Sequence, residues 1–131
     1  MQIRRASDDQ PMAGPAEWFT GEVEIAQFFG APDPSRLGHA LVTFQPGART
    51  AWHTHPVGQL LLINDGTAWV AGEDGRRQEA HEGDVVWFEA GERHWHGATP
   101  DAPMTHVSVN ESVSGSAVEW HEHVSDEDYQ G

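Results

Sequence analysis

Apolar and β-branched residues come in short runs, at 40–44, 59–63, 67–71, 84–88 and 104–109, with turn residues between them. The separators are rich in glycine and proline: Gly30 to Pro34, Gln45-Pro46-Gly47, Asn64-Asp65-Gly66, Gly72 to Gly75, Glu82-Gly83-Asp84, Ala90-Gly91 and Thr99 to Pro103. Runs this short and this regularly interrupted predict strands, and their number predicts an all-β sandwich or barrel rather than alternating βαβ units. Side chains two apart on a strand share a face. His106, Ser108 and Asn110 therefore fall on one face of a late strand, and Ala40 and Val42 on one face of an earlier one. Helix is expected in two places only, around 16–19 and in the tail, where Ser125 is an N-cap for the acidic turn 126–129.

The chain has 131 residues and no cysteine. That length suits one domain over 1–131 with a single core and no staples. Without thiolates, any metal must be held by nitrogen and oxygen, and the absence of cysteine favours a reducing, cytoplasmic location. Two arginines near the N-terminus precede no apolar run, so no signal peptide is expected. No stretch approaches the ~18 apolar residues of a membrane span, and a soluble protein without a membrane partner is expected.

The basic residues number 7, all arginine, against 21 carboxylates, for a net charge of -14. Such a surface repels polyphosphate, which excludes nucleic acid as a partner and leaves a small-molecule substrate. The missing lysine excludes Schiff-base chemistry on the chain.

Histidine numbers 9, and the clustering of these residues is informative. In the segment from Gly47 to Gln59, His53 and His55 lie two apart and point to one face of a strand. Gln59 opens the next apolar run and offers an amide oxygen. A later segment places His94 after a glycine turn at Gly91. Three imidazoles and one oxygen, with positions left open, describe a site for a first-row transition metal rather than Ca²⁺ or Mg²⁺. His96, two beyond His94, faces the same interior. His39, His81, His121 and His123 have no such framework.

The spacing Gly47, five residues, His53, one, His55, three, Gln59, six, Gly66 is similar to the first cupin motif, and Gly83, Gly91 and His94 are similar to the second. The resemblance implies a jelly-roll barrel with metal motifs at 47–66 and 83–98, and one divalent metal held by His53, His55, Gln59 and His94. Gln59 stands where most metal cupins have Glu, and Glu89 and Ala98 stand where the second motif usually has Pro and Asn. An all-neutral ligand set leaves the metal its full charge and tilts the expected chemistry toward Lewis-acid polarisation of a bound oxygen.

Further segments resemble a narrower group, the manganese-dependent bacterial cupin hydroxynitrile lyases, which split cyanohydrins reversibly into a carbonyl compound and hydrogen cyanide. They are Gly14 to Gly21, Pro46 to Pro56, Gly83 to Phe88, Gly91 to Ala98 and Val118-Glu119-Trp120. The resemblance implies Mn²⁺, although ligand chemistry alone also admits Fe²⁺, Ni²⁺, Co²⁺ and Zn²⁺. It also implies His96 as general base, His106 as cyanide-positioning or proton-relaying residue, and a substrate pocket at Ala40, Val42, Ser108 and Asn110, where the group tends to carry Gln in place of Asn110. The residues themselves also admit a ligand-orienting His96 and a His106 satisfied by a backbone carbonyl. At the level of function, a cupin dioxygenase and a non-catalytic ligand-binding cupin stand beside the lyase. Outward apolar positions Leu60, Leu62 and Trp52 predict a homodimer or homotetramer.

Overall fold

The computed structural model describes all residues from 1 to 131. A 3-10 turn, Ala6–Asp8, is followed by β1 (Met12–Ala13), β2 (Phe19–Thr20), β3 (Val23–Gly30), β4 (Leu37–Phe44), β5 (Arg49–Thr50), β6 (His53–Thr54) and β7 (Gln59–Asp65). Then come β8 (Thr67–Gly72), β9 (Arg77–His81), β10 (Val85–Phe88), β11 (His94–Ala98), β12 (Met104–Glu111), β13 (Glu119–Trp120) and α1 (Asp126–Gln130). One sheet runs β1-β3-β4-β12-β7-β10, and the other runs β13-β6-β11-β5-β2 with β8 and β9 added beside β11. All pairings are antiparallel. The expected all-β barrel is therefore present, as two sheets closed over a common interior.

Alternation explains which residues line that interior. On β7, Gln59, Leu61 and Ile63 are buried while Leu60 and Leu62 turn outward. On β12, Met104, His106 and Ser108 are buried, and the register pairs His106 with Val42 and Ser108 with Ala40. Phe44, Leu61, Ile63, Ala98 and Met104 are among the most deeply buried members of the core. Packing them away from water is the main source of stability.

β11 is buried at every position because it is covered on both sides. His94 and His96 face inward. Trp95 faces outward into a second cluster with Trp52, Ala71, Val124 and Tyr129. The tail closes this outer layer: Tyr129 donates its hydroxyl to the Ala98 carbonyl at 2.7 Å, and the buried Arg49 reaches the Val124 carbonyl and Asp126. Ser125 caps α1 by accepting from the Asp128 amide at 3.0 Å, so the expected tail helix forms.

Two expectations are corrected. Residues 16–19 are not helical; Pro15 accepts from the Trp18 and Phe19 amides in a turn that feeds Phe19 into β2 opposite Thr50. Four residues are too few to nucleate a helix against that ladder. Trp52 does not present an outward interface either. It is 7% exposed, packed with Trp95 beneath the Arg93 guanidinium at 4.4 Å.

Gly97 shows how tightly β11 and β5 are joined. A Cβ added there meets the Ala48 carbonyl oxygen and, at 2.7 Å, the Arg49 Cα. Gly97→Ala is expected to destabilise the protein by about 2 to 3 kcal/mol, because backbone on both sides must move. A urea midpoint equal to wild type in the variant contradicts this packing.

Candidate active site

The metal-motif histidines are all buried, and each is anchored the same way. Nδ1 of His53 lies 2.9 Å from the Ala51 carbonyl, Nδ1 of His55 lies 2.6 Å from the Ala117 carbonyl, and Nδ1 of His94 lies 2.8 Å from the Glu92 carbonyl. A carbonyl only accepts, so each Nδ1 carries the proton and each Nε2 keeps a bare lone pair. Local chain geometry supplies two of these anchors, since Ala51 and Glu92 each lie two residues before their histidine.

Gln59 completes the ring. Its amide nitrogen donates to Ser108 Oγ at 2.8 Å, which turns Oε1 toward His94 Nε2 at 3.1 Å. Two lone pairs then face one another with no proton between them, an arrangement that a cation resolves. His55 Nε2 is likewise buried without a partner. Burial holds His53 and His55 below the ordinary imidazole range and pushes His94 down to about 3, with neighbouring imidazoles adding to the effect at His53 and His94. Metal ligands must be deprotonated, and these already are. The residues present therefore fit a divalent metal. By nitrogen spacing, His53, His94 and His96 form the tightest group, their ligand atoms within 4.8 Å of one another.

His96 differs from the other three. Its Nδ1 contacts His106 Nε2 at 3.1 Å instead of a carbonyl, and its Nε2 is buried without a partner. Thr50 Oγ accepts from the His96 amide at 3.2 Å and steadies the strand there. Phe88 stacks on His94 with ring centroids 3.6 Å apart, and the backing Phe44 ring lies against both His96 and His106. These rings fix the imidazole planes.

Beside the imidazoles opens a cavity of about 340 Å³. His53, His55, Gln59, His96 and His106 line its polar end, and the expected pocket residues Ala40, Val42, Ser108 and Asn110 all reach it. Apart from Thr50 the rest is apolar, including Trp18 stacked on Trp120 at 5.4 Å. Sequence reasoning passed over Met12, Trp18, Phe28 and Trp120 as pocket wall, although two of them lie in segments that carried the resemblance. It also missed the Ala117 carbonyl, which leaves no mark in a pattern of side chains. His39, His81, His121 and His123 stay outside the site.

His106 adds an acid-sensitive element to the fold. Burial pushes it down to about 4 from the ordinary value of 6.5. Between these values the unfolded chain holds the extra proton, so stability rises with pH across the window, is complete above 6.5 and is lost as pH falls through 4. The shift corresponds to about 3 kcal/mol. Urea midpoints of the metal-free protein are expected to fall steeply from about pH 7 to about pH 4.5, and His106→Gln is expected to flatten that slope. An unchanged slope in the variant contradicts the assignment.

Comparison with known proteins agrees with this fold. Residues 40–110 match the cupin domain family. The chain is 53% identical over 130 residues to a protein named (R)-mandelonitrile lyase from Granulicella tundricola, covering 99% of each. Among solved structures it is similar to a cupin-like protein of Thermotoga maritima, with a TM-score of 0.83, 32% identity and 90% of each chain covered. It is also similar in fold to the polyketide cyclase RemF of Streptomyces resistomycificus, with a TM-score of 0.72, 17% identity, and 99% and 91% of the two chains covered.

Proposed function

Because the chain belongs to the cupin family, we propose that it is a metal-dependent hydroxynitrile lyase, cleaving an α-hydroxynitrile into an aldehyde or ketone and hydrogen cyanide. The observation that carries this reading is the His96–His106 pair, buried and opening on an apolar cavity beside three carbonyl-anchored imidazoles. The 53% identity to a named (R)-mandelonitrile lyase supports the same reaction class.

His53, His55, His94 and Gln59 hold one divalent metal, with Mn²⁺ the proposed ion. When bound, the metal supplies Lewis-acid stabilisation for negative charge on the substrate oxygen. The ligand role goes to His55 rather than His96 because His55 shares the carbonyl anchor that leaves Nε2 bare, whereas His96 is engaged with His106.

His96 is the base. Burial and the neighbouring imidazoles keep it neutral, so Nε2 accepts the substrate hydroxyl proton while Nδ1–H donates to His106 Nε2. The oxygen lone pair closes to a carbonyl, the carbon–carbon bond breaks, and its electrons leave on the cyanide carbon. That carbon takes the proton back from His96, which releases hydrogen cyanide and restores the neutral imidazole. Ser108 positions Gln59 rather than the substrate, through the 2.8 Å hydrogen bond. The apolar wall of the cavity receives the organic substituent and excludes water. The protein is further proposed to act on a small molecule as a homodimer or homotetramer, with Leu62, Val85 and Trp87 the exposed apolar positions at one sheet edge.

The test is to load purified protein with Mn²⁺ and follow mandelonitrile conversion to benzaldehyde with oxygen excluded. Oxygen-independent turnover is expected. Activity that appears only when dioxygen is admitted replaces the lyase with an oxygenase, and saturable binding without turnover replaces it with a ligand-binding cupin.

A further inference from the structure

Strict alternation on β3 puts Val23, Ile25, Gln27 and Phe29 on the inner face and Phe28 outside. The register shows otherwise. Ala26 pairs with Leu41 and Phe29 with His39, so Gln27 and Phe28 together oppose the single residue Ala40. This is a β-bulge, and the extra residue reverses the facing of everything beyond it. Phe28 consequently joins Ile25 on the cavity wall, while Phe29 turns to the other side, where the Arg4 guanidinium covers it at 5.1 Å.

The bulge is held by specific bonds. Gln27 adopts φ 51, a left-handed conformation that costs a non-glycine residue free energy. Its amide donates to Asp9 Oδ2 at 2.8 Å, and its carbonyl accepts from His39 Nδ1 at 3.0 Å. Both backbone groups of the strained residue are thus satisfied by side chains from other segments.

The result is an aromatic ring at the cavity mouth that is 71% exposed, beside Met12 at 55%. Phe28 also borders an adjoining depression of about 460 Å³ in which Arg36, Ser112 and Asn110 are among the lining residues. It stands where the hydrocarbon chamber meets that more polar entrance. A ring placed there is covered only when a bound molecule extends an apolar group out from the imidazole end.

We infer that Phe28 is a specificity-determining residue that packs against an aryl or similarly large apolar substituent of the substrate, and that Asp9 is its positioning residue, acting through the Gln27 bulge. The inference rests on the lyase reading for the identity of the reacting group but not for the place of the ring. Substrates with a small aliphatic substituent gain nothing from Phe28, so the ring sets a preference and not the chemistry.

The experiment compares mandelonitrile with acetone cyanohydrin on Mn²⁺-loaded protein, and separately titrates protein without added metal with benzyl alcohol, read by the fluorescence of Trp18 and Trp120 at the cavity. For Phe28→Ala the ratio of kcat/KM for mandelonitrile to that for acetone cyanohydrin is expected to fall about tenfold, mostly through KM, and the benzyl alcohol Kd to rise by about the same factor. Asp9→Ala is expected to move both in the same direction by about threefold, and Asp9→Asn, which keeps an acceptor oxygen for Gln27, to restore them. A general loss of structure does not produce a shift confined to the aryl substrate and rescued by Asn. Ratios and Kd values within about twofold of wild type overturn the inference, as does a Phe28→Ala protein whose only change is its oligomeric mass. If wild type cleaves neither cyanohydrin the lyase reading fails, and the benzyl alcohol titration still decides the place of Phe28.

Discussion

Replacing His94 by alanine is expected to prevent metal loading. His94 Nε2 and Gln59 Oε1 are bare electron pairs 3.1 Å apart, so they share a cation or repel one another. With one imidazole gone, His53, His55 and Gln59 remain, too few neutral donors to retain an exchangeable divalent ion through gel filtration. Metal content after Mn²⁺ loading is expected to fall from near one per chain to below about a tenth, with cyanohydrin cleavage reduced about a thousandfold. Elemental analysis of the desalted protein gives the first number and benzaldehyde release the second. Because His94 stacks on Phe88, His94→Gln serves beside His94→Ala to keep the volume filled. Full metal retention in both variants removes His94 from the coordination shell.

His96→Gln is expected to behave in the opposite sense, keeping the metal and losing the reaction. Its Nδ1 is committed to His106 instead of a carbonyl, and its Nε2 is buried without a partner on a residue that lines the cavity, free to accept a proton. Loss of a positioned general base reduces kcat by about a hundredfold to ten-thousandfold with little change in KM. Metal stoichiometry stays near one per chain. The outcome also separates two coordination patterns, since the nitrogen atoms of His53, His94 and His96 lie close enough to form a triad of their own. Loss of metal from His96→Gln with retention in His55→Ala establishes that alternative triad and removes the base from the proposed mechanism.

The two variants separate holding a cation from moving a proton. The two proposed functions occupy alternate positions of one strand, His94 and His96, which differ in what each Nδ1 touches: a carbonyl for His94 and another imidazole for His96. His106→Gln, predicted above to flatten the pH dependence of stability, removes the imidazole that orients His96 as well.

Much of this site was legible before the fold was known. The period of two along a strand is a property of the backbone, so His94 with His96, and His106 with Ser108, share faces wherever their strands lie, and His53 and His55 converge on one site although β6 ends at Thr54. The absence of cysteine restricted any metal to nitrogen and oxygen donors, and the amide at Gln59 makes the proposed ligand set neutral. Ser125 as a helix cap is equally local, because its bond spans three residues.

Other features depended on residues far apart in the chain. That His55 is anchored by the Ala117 carbonyl, and that Gln59 is turned by Ser108, required strand pairing within each sheet to bring together segments 62 and 49 residues apart in the chain. Trp52 was expected outward and is covered, because Arg93 and the returning tail lie over it. The turn at 16–19 yielded to pairing with β5, a contact of long range that outweighs local helix preference. Phe28 shows the division best: alternation assigns it to the outer face, but Asp9 and His39 hold a bulge that reverses it. Facing along one strand is written in the order of residues. Convergence between strands, and the exceptions to alternation, come from hydrogen bonds and packing that exist only once segments distant in the chain have paired.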